Sequence, residues 1–201
     1  MPVTDTNHWL PIINGALLKI GLPMAAALDD ATWGAIDRFE NVAKQVFRSF
    51  VWGFATKYAS LTANSQANQP VHGWTYAYTI PEDCQRIIDI HNTKDLRQPK
   101  SRFCICNNML LTNATPCYAR YVGYIADCAL WPADFADAVS ALLAAHIAPL
   151  SAQTQSMTPS LIQLYQLSLT QAQNSDATET TERVPMDEDI YMARQGVRTQ
   201  Q

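Results

Sequence analysis

The chain has 201 residues, of which 48% are hydrophobic and only 16% carry a charge, against about 25% in an average globular protein. This composition excludes an intrinsically disordered chain, which combines low hydrophobicity with high charge. The net charge of −4 argues against a dedicated nucleic-acid binder, because such domains are strongly basic.

Two amphipathic helices are predicted in the first third of the chain. The first ends near Gly21, since glycine readily adopts the left-handed conformation that closes a helix. The second is predicted over 31–61, is started by Asp29 and Asp30, and has a kink or an early end near Gly53. Its apolar stripe follows steps of three and four residues. The stripe consists of Ile36, Phe39, Ala43, Val46, Phe50, Phe54, Tyr58 and Leu61.

A change of period from helical to alternating predicts a small antiparallel β unit in the middle of the chain. Residues 72–80 alternate around aromatic side chains, and residues 86–90 form a short isoleucine-rich run. Residues 103–112 predict a hairpin, because the Asn-Asn pair at their centre tolerates the positive φ angles of a tight turn. A last strand is predicted over 118–125.

Helical spacing returns after Pro132 and predicts a third helix, which Pro149 kinks or ends. A fourth helix starts at Thr158, which is followed by a proline at the first helical position. From Asn174 onward no periodic apolar face continues, and this predicts an extended tail.

The predicted fold class is therefore mainly α. Four helices form a bundle, a small antiparallel β insert lies between the second and third helices, and an extended C-terminal arm follows. The predicted ranges are 1–65 for the first half of the bundle, 66–130 for the insert, 131–174 for the second half and 175–201 for the arm.

Signals for export and for membrane insertion are not found in the sequence. The first residues lack a basic region followed by a long apolar run, and no stretch has the 18 or more apolar residues of a membrane span. An odd number of cysteines argues against a secreted disulfide framework and favours reduced thiols in a cytoplasmic setting. These cysteines are Cys84, Cys104, Cys106, Cys117 and Cys128.

Catalytic and metal-binding patterns are weak. No nucleophile elbow, zinc-protease helix or phosphate-binding loop is present in the sequence. Cys84 could pair with a histidine (His8, His72, His91 or His146), but a half-buried thiol in a strand beside Arg86 is the favoured interpretation. Cys104-x-Cys106, with Cys117, Cys128 and His91, lacks the paired spacing of zinc sites and favours cysteines as small apolar side chains. The sequence therefore predicts no catalytic residue, metal or cofactor, and the protein is not expected to be an enzyme.

Four cations cluster before the hairpin with a single acidic neighbour, Asp95. They are Lys94, Arg97, Lys100 and Arg102. One interpretation is a solvated loop, and the other is a basic finger that contacts phosphates or an acidic partner surface. In a symmetric ring such a loop would be repeated around the axis.

Two further features have alternative interpretations. Trp52 lies off the apolar stripe of the second helix, so either the insert or a neighbouring subunit covers it. The tail is either a free acidic segment or an arm that becomes ordered on a partner. Its apolar anchors are Val184, Pro185, Met186, Ile190, Tyr191 and Met192.

The order of these elements resembles the head-to-tail adaptors of short-tailed bacteriophages, of the tail tubular protein A type. The resemblance extends over about residues 8–174, and two features depart from it, namely Leu22 and the segment 144–156. The local motifs that carry it are Asn14-x-x-Leu17-x-x-Ile20-Gly21-x-Pro23, Trp52-Gly-Phe-Ala55, Thr79-Ile-Pro81-Glu-Asp83-Cys84-x-Arg86-Ile87 and Trp131-Pro132-x-Asp134-Phe135.

The resemblance implies a non-enzymatic virion protein that is made in the host cytoplasm. Members of this family form a twelve-fold ring between the portal and the tail nozzle, a protein of the tail tubular protein B type, and leave an axial channel for the genome. Residues 175–201 become the candidate portal-binding arm, and the basic loop 94–102 becomes a candidate for the nozzle side or for the DNA channel.

Two other classes compete with the adaptor. A small regulatory or nucleic-acid-binding module would use the basic loop 94–102, and its duplex binding would depend on salt. An enzyme is the third class, and it would need one hyper-reactive thiol.

Overall fold

The computed structural model describes residues 6–28, 33–63, 73–95, 98–150 and 153–180. Helices account for 48% of the structure and strands for 21%, in two antiparallel sheets of three strands each. The fold is therefore mixed α/β, and the prediction of a mainly α four-helix bundle with a small β insert is wrong. The elements are α1 (Leu10–Lys19), α2 (Trp33–Ser49), β1 (Thr56–Ser60), β2 (Tyr76–Thr79), β3 (Cys84–His91), β4 (Phe103–Cys106), β5 (Met109–Thr112), β6 (Tyr118–Gly123), α3 (Ala133–Ile147) and α4 (Thr158–Thr180).

The first helix ends where the sequence predicts. Gly21 has a φ of +75°, and its N–H donates to the Leu18 carbonyl while the Leu22 N–H donates to the Leu17 carbonyl. These bonds satisfy the last carbonyls of α1. Asn14 holds the segment after α1 against the helix, because its side chain both donates to and accepts from the backbone of Ala25.

The second helix does not reach residue 61 and ends close to Gly53, where the sequence predicts a kink or an early end. It ends at Ser49, and of the residues that continue its apolar spacing only Tyr58 lies in strand β1. The indole N–H of Trp52 and the hydroxyl of Ser49 both donate to the Val46 carbonyl, which fixes the end of the helix. Asp176 of α4 accepts the Gly53 N–H at 2.9 Å and holds the chain as it turns into β1. Asp29 and Asp30, the predicted start, lie outside the described residues.

The strands form two separate sheets instead of one insert. Sheet A has the order β1-β6-β3 and sheet B the order β2-β5-β4. β1 pairs with β6 in sheet A. β1 lies within 1–65, the range that the sequence assigns to helices alone. The hairpin β4–β5 is confirmed, with Asn107 and Asn108 at φ angles of 49° and 58° in its turn.

Helix α3 is the centre of the helical part and packs against α1, α2 and α4. Its alanines allow close approach, and Phe135 projects into an aromatic cluster with Phe47, Trp52 and Trp131. Trp52 is thus buried within its own chain, against Phe135 of α3, and needs no neighbouring subunit to cover it. Helix α4 continues to Thr180, which is beyond the residue 174 at which the sequence places its end.

Candidate functional site

A row of polar side chains crosses sheet A. Tyr58 on β1 is opposite Arg120 on β6, which in turn is opposite Asp89 on β3. The Arg120 guanidinium donates to both carboxylate oxygens of Asp89, with Nε–Oδ1 at 3.2 Å and Nη2–Oδ2 at 2.5 Å. A two-point bond of this kind fixes the positions of both side chains.

Two more basic groups approach the same carboxylate. Lys100 Nζ lies 3.1 Å from Asp89 Oδ2, and His91 Nε2 lies 3.4 Å from Oδ1. Asp89 is only 3% exposed and His91 is equally buried. The Nδ1 atom of His91 has no hydrogen-bond partner within the described part of the chain.

The charge balance of this cluster keeps Asp89 ionised. Burial alone would raise the pKa of its carboxyl group, but the hydrogen bonds from Arg120 and Lys100 outweigh burial and lower the pKa below its usual range. The hydrogen bond to Asp89 raises the pKa of Arg120 in return. A carboxylate held by several cations is a poor proton acceptor, so the arrangement suits a structural ion pair and not general base catalysis.

A shallow groove of about 360 Å³ lies beside this cluster on sheet A. Tyr58, Ser60 and Tyr118 line it together with the predicted residue Lys94. The tyrosine rings can stack on a flat ligand, and the neighbouring lysine can attract an anion. The helical spacing of the sequence assigns Tyr58 to a helix and therefore gives no sign that it lines a groove on a sheet.

The three predicted cations that the structure describes have different surroundings. Lys94 lines the groove on sheet A, whereas Lys100 pairs with Asp89. Arg102 lines a separate cavity of about 660 Å³ beside Trp74. Arg97 lies outside the described residues, as do the arm residues Val184, Pro185, Met186, Ile190, Tyr191 and Met192.

Three of the five cysteines are protected from deprotonation. Burial raises the pKa of the Cys84 and Cys117 thiols to about 11 and that of the Cys128 thiol to about 12. A reactive thiol needs the opposite shift. Over the ranges that the structure describes, no group of three or more His, Cys, Asp and Glu side chains is placed to hold a metal ion.

A second groove, of about 470 Å³, runs between α3 and α4. Leu142, Pro149, Ile162 and Tyr165 are among its lining residues. Further along α4 Leu167 is 70% exposed, and Leu164 is exposed as well. The signal was present in the sequence, because aliphatic residues in 161–169 occupy more of the helix surface than one stripe.

Residues 133–150, which contain α3, are long and apolar enough to cross a membrane by length and composition. However, 61% of this stretch is buried inside the fold, as is usual for the central helix of a helical core.

Comparisons with known proteins do not identify the chain. No family model matches the sequence, and no curated protein is significantly similar to it.

Proposed function

We propose that this protein is a structural subunit of a bacteriophage head-to-tail adaptor. Copies of the chain would form a ring, twelve-fold in the related adaptors, between the portal and the tail nozzle, with an axial channel for DNA. The observation that carries the proposal is the uncharged, partly apolar surface of α4, which is suited to contact between subunits.

The absence of charge on this surface is unusually extensive. Residues 138–175 contain no Asp, Glu, Lys or Arg, although they include exposed positions on α3 and α4. A helix that is apolar beyond its core-facing stripe has to be covered by another element or by a partner. A second copy of the same chain presents the same uncharged surface, so no like charges are brought together.

The exposed aliphatic residues also lie on two sides of α4. At about 100° per residue, Ile162 lies on one side of the buried positions Leu161 and Ala172, whereas Leu164 and Leu167 lie on the other. A ring contact is heterologous and needs two different surfaces on each subunit. The two sides of α4 supply such a pair.

The partners on either side of the ring follow from the resemblance. The portal would bind the C-terminal arm, whose anchors are Val184, Pro185, Met186, Ile190, Tyr191 and Met192. Lys94, Arg97 and Arg102 would lie toward the nozzle or the channel, where contacts with DNA are non-specific and electrostatic. Lys100 is less suited to that role, because it pairs with Asp89.

Electron microscopy of the protein mixed with portal rings of the same phage tests the adaptor role. We expect a ring of added density on one portal face. A truncation after Thr180, which leaves α4 complete, is expected to remove that density if the arm makes the contact. Density that survives the truncation would retain the adaptor and reject the arm. No density from the full chain would refute the adaptor.

Substitution on α4 tests the lateral contact. Leu167→Lys places a charge in the uncharged surface and is expected to prevent ring formation, as seen by sedimentation or microscopy. Met24→Lys is the matched control, because Met24 is also exposed but lies outside α4. Rings that form equally well with Leu167→Lys would contradict this contact.

A second candidate is a nucleic-acid-binding module, and the groove between Tyr58, Tyr118 and Lys94 favours it. Single-stranded DNA would stack on the tyrosines and contact the lysine through phosphate. Binding by the isolated protein should weaken with salt and be lost in Tyr58→Ala with Lys94→Ala. Binding that is absent from the wild type would reject this candidate.

A further inference from the structure

We propose that the outer edge of strand β4 binds β4 of a second copy of this chain, in an antiparallel pair centred on Cys104. This contact is independent of the proposed ring, which uses α4. It would join sheet B of the two copies into one continuous sheet of six strands.

The backbone of β4 has unpaired groups along its outer side. β4 lies at the end of the order β2-β5-β4, and along Phe103–Cys106 no described segment pairs with its outer edge; just before the strand, the N–H of Ser101 donates to the Ile90 carbonyl of β3. In a two-residue hairpin the residues that flank the turn, here Cys106 and Met109, exchange hydrogen bonds. The alternation of an antiparallel ladder then directs the N–H and C=O groups of Phe103 and Ile105 outward.

Apart from its short length of four residues, β4 lacks the features that protect an edge strand. Phe103, Cys104, Ile105 and Cys106 include no charge and no proline, and no bulge interrupts their pairing with β5. Isolated folds usually block such edges, because an open edge pairs with any extended strand. An unprotected edge therefore points to a partner strand in the functional state.

The apolar row across sheet B indicates what the partner must cover. Tyr78, Leu110 and Ile105 are consecutive in this row, and the first two are buried. Ile105, at the end of the row, is 52% exposed. A further strand beyond β4 that carries an apolar residue at this position would extend the core over Ile105.

A second β4 satisfies all of these requirements in one register. With Cys104 opposite Cys104 of the copy, Phe103 pairs with Ile105 of the copy and Ile105 with its Phe103. Both pairs are hydrogen-bonded, so all the outward backbone groups of the two residues are used. Phe103 of the copy covers Ile105, and Arg102 is opposite an uncharged cysteine, which keeps the two Arg102 side chains apart.

This register makes a specific prediction for crosslinking. Cys104 and its copy form a non-hydrogen-bonded pair, whose Cα atoms are about 4.5 Å apart. That distance is within the range for disulfides, about 4.4–6.8 Å. Pairing centred on Ile105 would instead bring Cys104 next to Cys106 of the copy.

The experiment uses the full chain with copper phenanthroline and air as the oxidant, followed by non-reducing electrophoresis and mass spectrometry of the linked peptides. We expect the wild type and Cys106→Ser to give a dimer linked through a disulfide between the two Cys104 residues. We expect Cys104→Ser not to give this crosslinked dimer. Loss of the crosslink in Cys106→Ser, or an equal crosslink in Cys104→Ser, would overturn the register.

A second measurement tests pairing without oxidation. Under reducing conditions Leu167→Lys, which removes the proposed ring contact, should sediment as a dimer. Adding Ile105→Lys should weaken that dimer at least tenfold, whereas adding Met24→Lys should not. A monomer before the Ile105 change would overturn the β4 contact and leave the ring proposal to its own test.

Discussion

The helical part and the two sheets of this protein are stabilised in different ways. Around α3 the core consists of aliphatic side chains and aromatic rings from segments far apart in the chain. Between the sheets the buried apolar cluster is much smaller. There the polar row on sheet A, with Asp89 at its centre, adds ionic contacts between strands. The free energy of unfolding should therefore respond differently to substitutions in the two regions. Around α3 it depends on how well apolar side chains pack, whereas on sheet A it depends on both partners of the buried ion pair being present.

The two proposed contact surfaces, on α4 and at the outer edge of β4, differ in a similar way. The helical part has more apolar residues than its own core can cover, and the excess lies on α4. Sheet B has instead a backbone edge at β4 that no strand of the described residues pairs with. Contact through α4 would be governed by side-chain shape, whereas contact through β4 would be governed by hydrogen-bond register.

The largest effect is expected from Phe135→Ala. Phe135 is 1% exposed, and its ring centroid lies 4.7–5.2 Å from the rings of Phe47, Trp52, Phe54 and Trp131. The lost burial and the cavity left behind should reduce the free energy of unfolding by about 3–5 kcal/mol, measured by urea denaturation. Leu18→Ala, at an exposed site on α1 and outside the proposed contact surfaces, is the control and should change it by less than about 0.5 kcal/mol. Similar losses in both variants would contradict the aromatic core.

A smaller loss is expected when the ionic contacts on sheet A are broken. Asp89→Asn keeps the shape but removes the charge that Arg120 and Lys100 contact, and should cost about 1–3 kcal/mol in the same assay. The partial exposure of both cations lets water compensate in part. Glu40→Gln is the control, because its pair with Lys44 lies on the surface and contributes about 0.3–0.5 kcal/mol. A loss no greater than in this control would show that the cluster is not stabilising.

The pH dependence of stability tests the same cluster. The pKa of Asp89 is lowered in the folded state, so its stabilising effect is complete above the unfolded value of about 3.9 and is lost as the pH falls through the folded pKa. The difference in stability between wild type and Asp89→Asn should therefore shrink below about pH 4. A difference that stays constant through this range would mean that the charge of Asp89 does not contribute.

The smallest effect is expected in the hairpin turn. Asn108 has a φ of 58°, a conformation that asparagine tolerates better than other residues with a side chain. Asn108→Ala should therefore destabilise the protein by about 1 kcal/mol, measured by thermal unfolding, and Asn108→Gly should restore most of this loss. If both variants lose stability equally, the side chain of Asn108 and not its backbone conformation is what matters.

Local signals predicted several elements well. Gly21 ends α1, the Asn-Asn turn joins β4 to β5, and α3 follows Pro132. Each of these depends on backbone preferences within a few residues. The end of the second helix, for which the sequence leaves residue 61 and an early end near Gly53 open, depends on contacts with Asp176 and with β6, which are far away in the chain.

The candidate surfaces likewise combine residues that the sequence identifies with residues that only the fold brings together. Lys94 was identified from the sequence as a basic residue, but the neighbouring Tyr58 and Tyr118 come from strands that only pairing brings together. Asp89, the buried partner of Lys100, gave no signal of its own, because an isolated acidic residue in a strand looks like any solvated one. The adaptor role itself stays a proposal.

The sequence by itself determined the alternation of helical and extended segments, the turns between them and the low charge of residues 138–175, because period and composition are local properties. Only the tertiary structure decided that residues 56–60 form a strand, that the strands divide into two sheets and that Asp89 meets Arg120. Helical spacing in 50–61 competes with strand pairing to β6, and the pairing prevails because it satisfies the backbone and places Trp52 and Phe54 against Phe135.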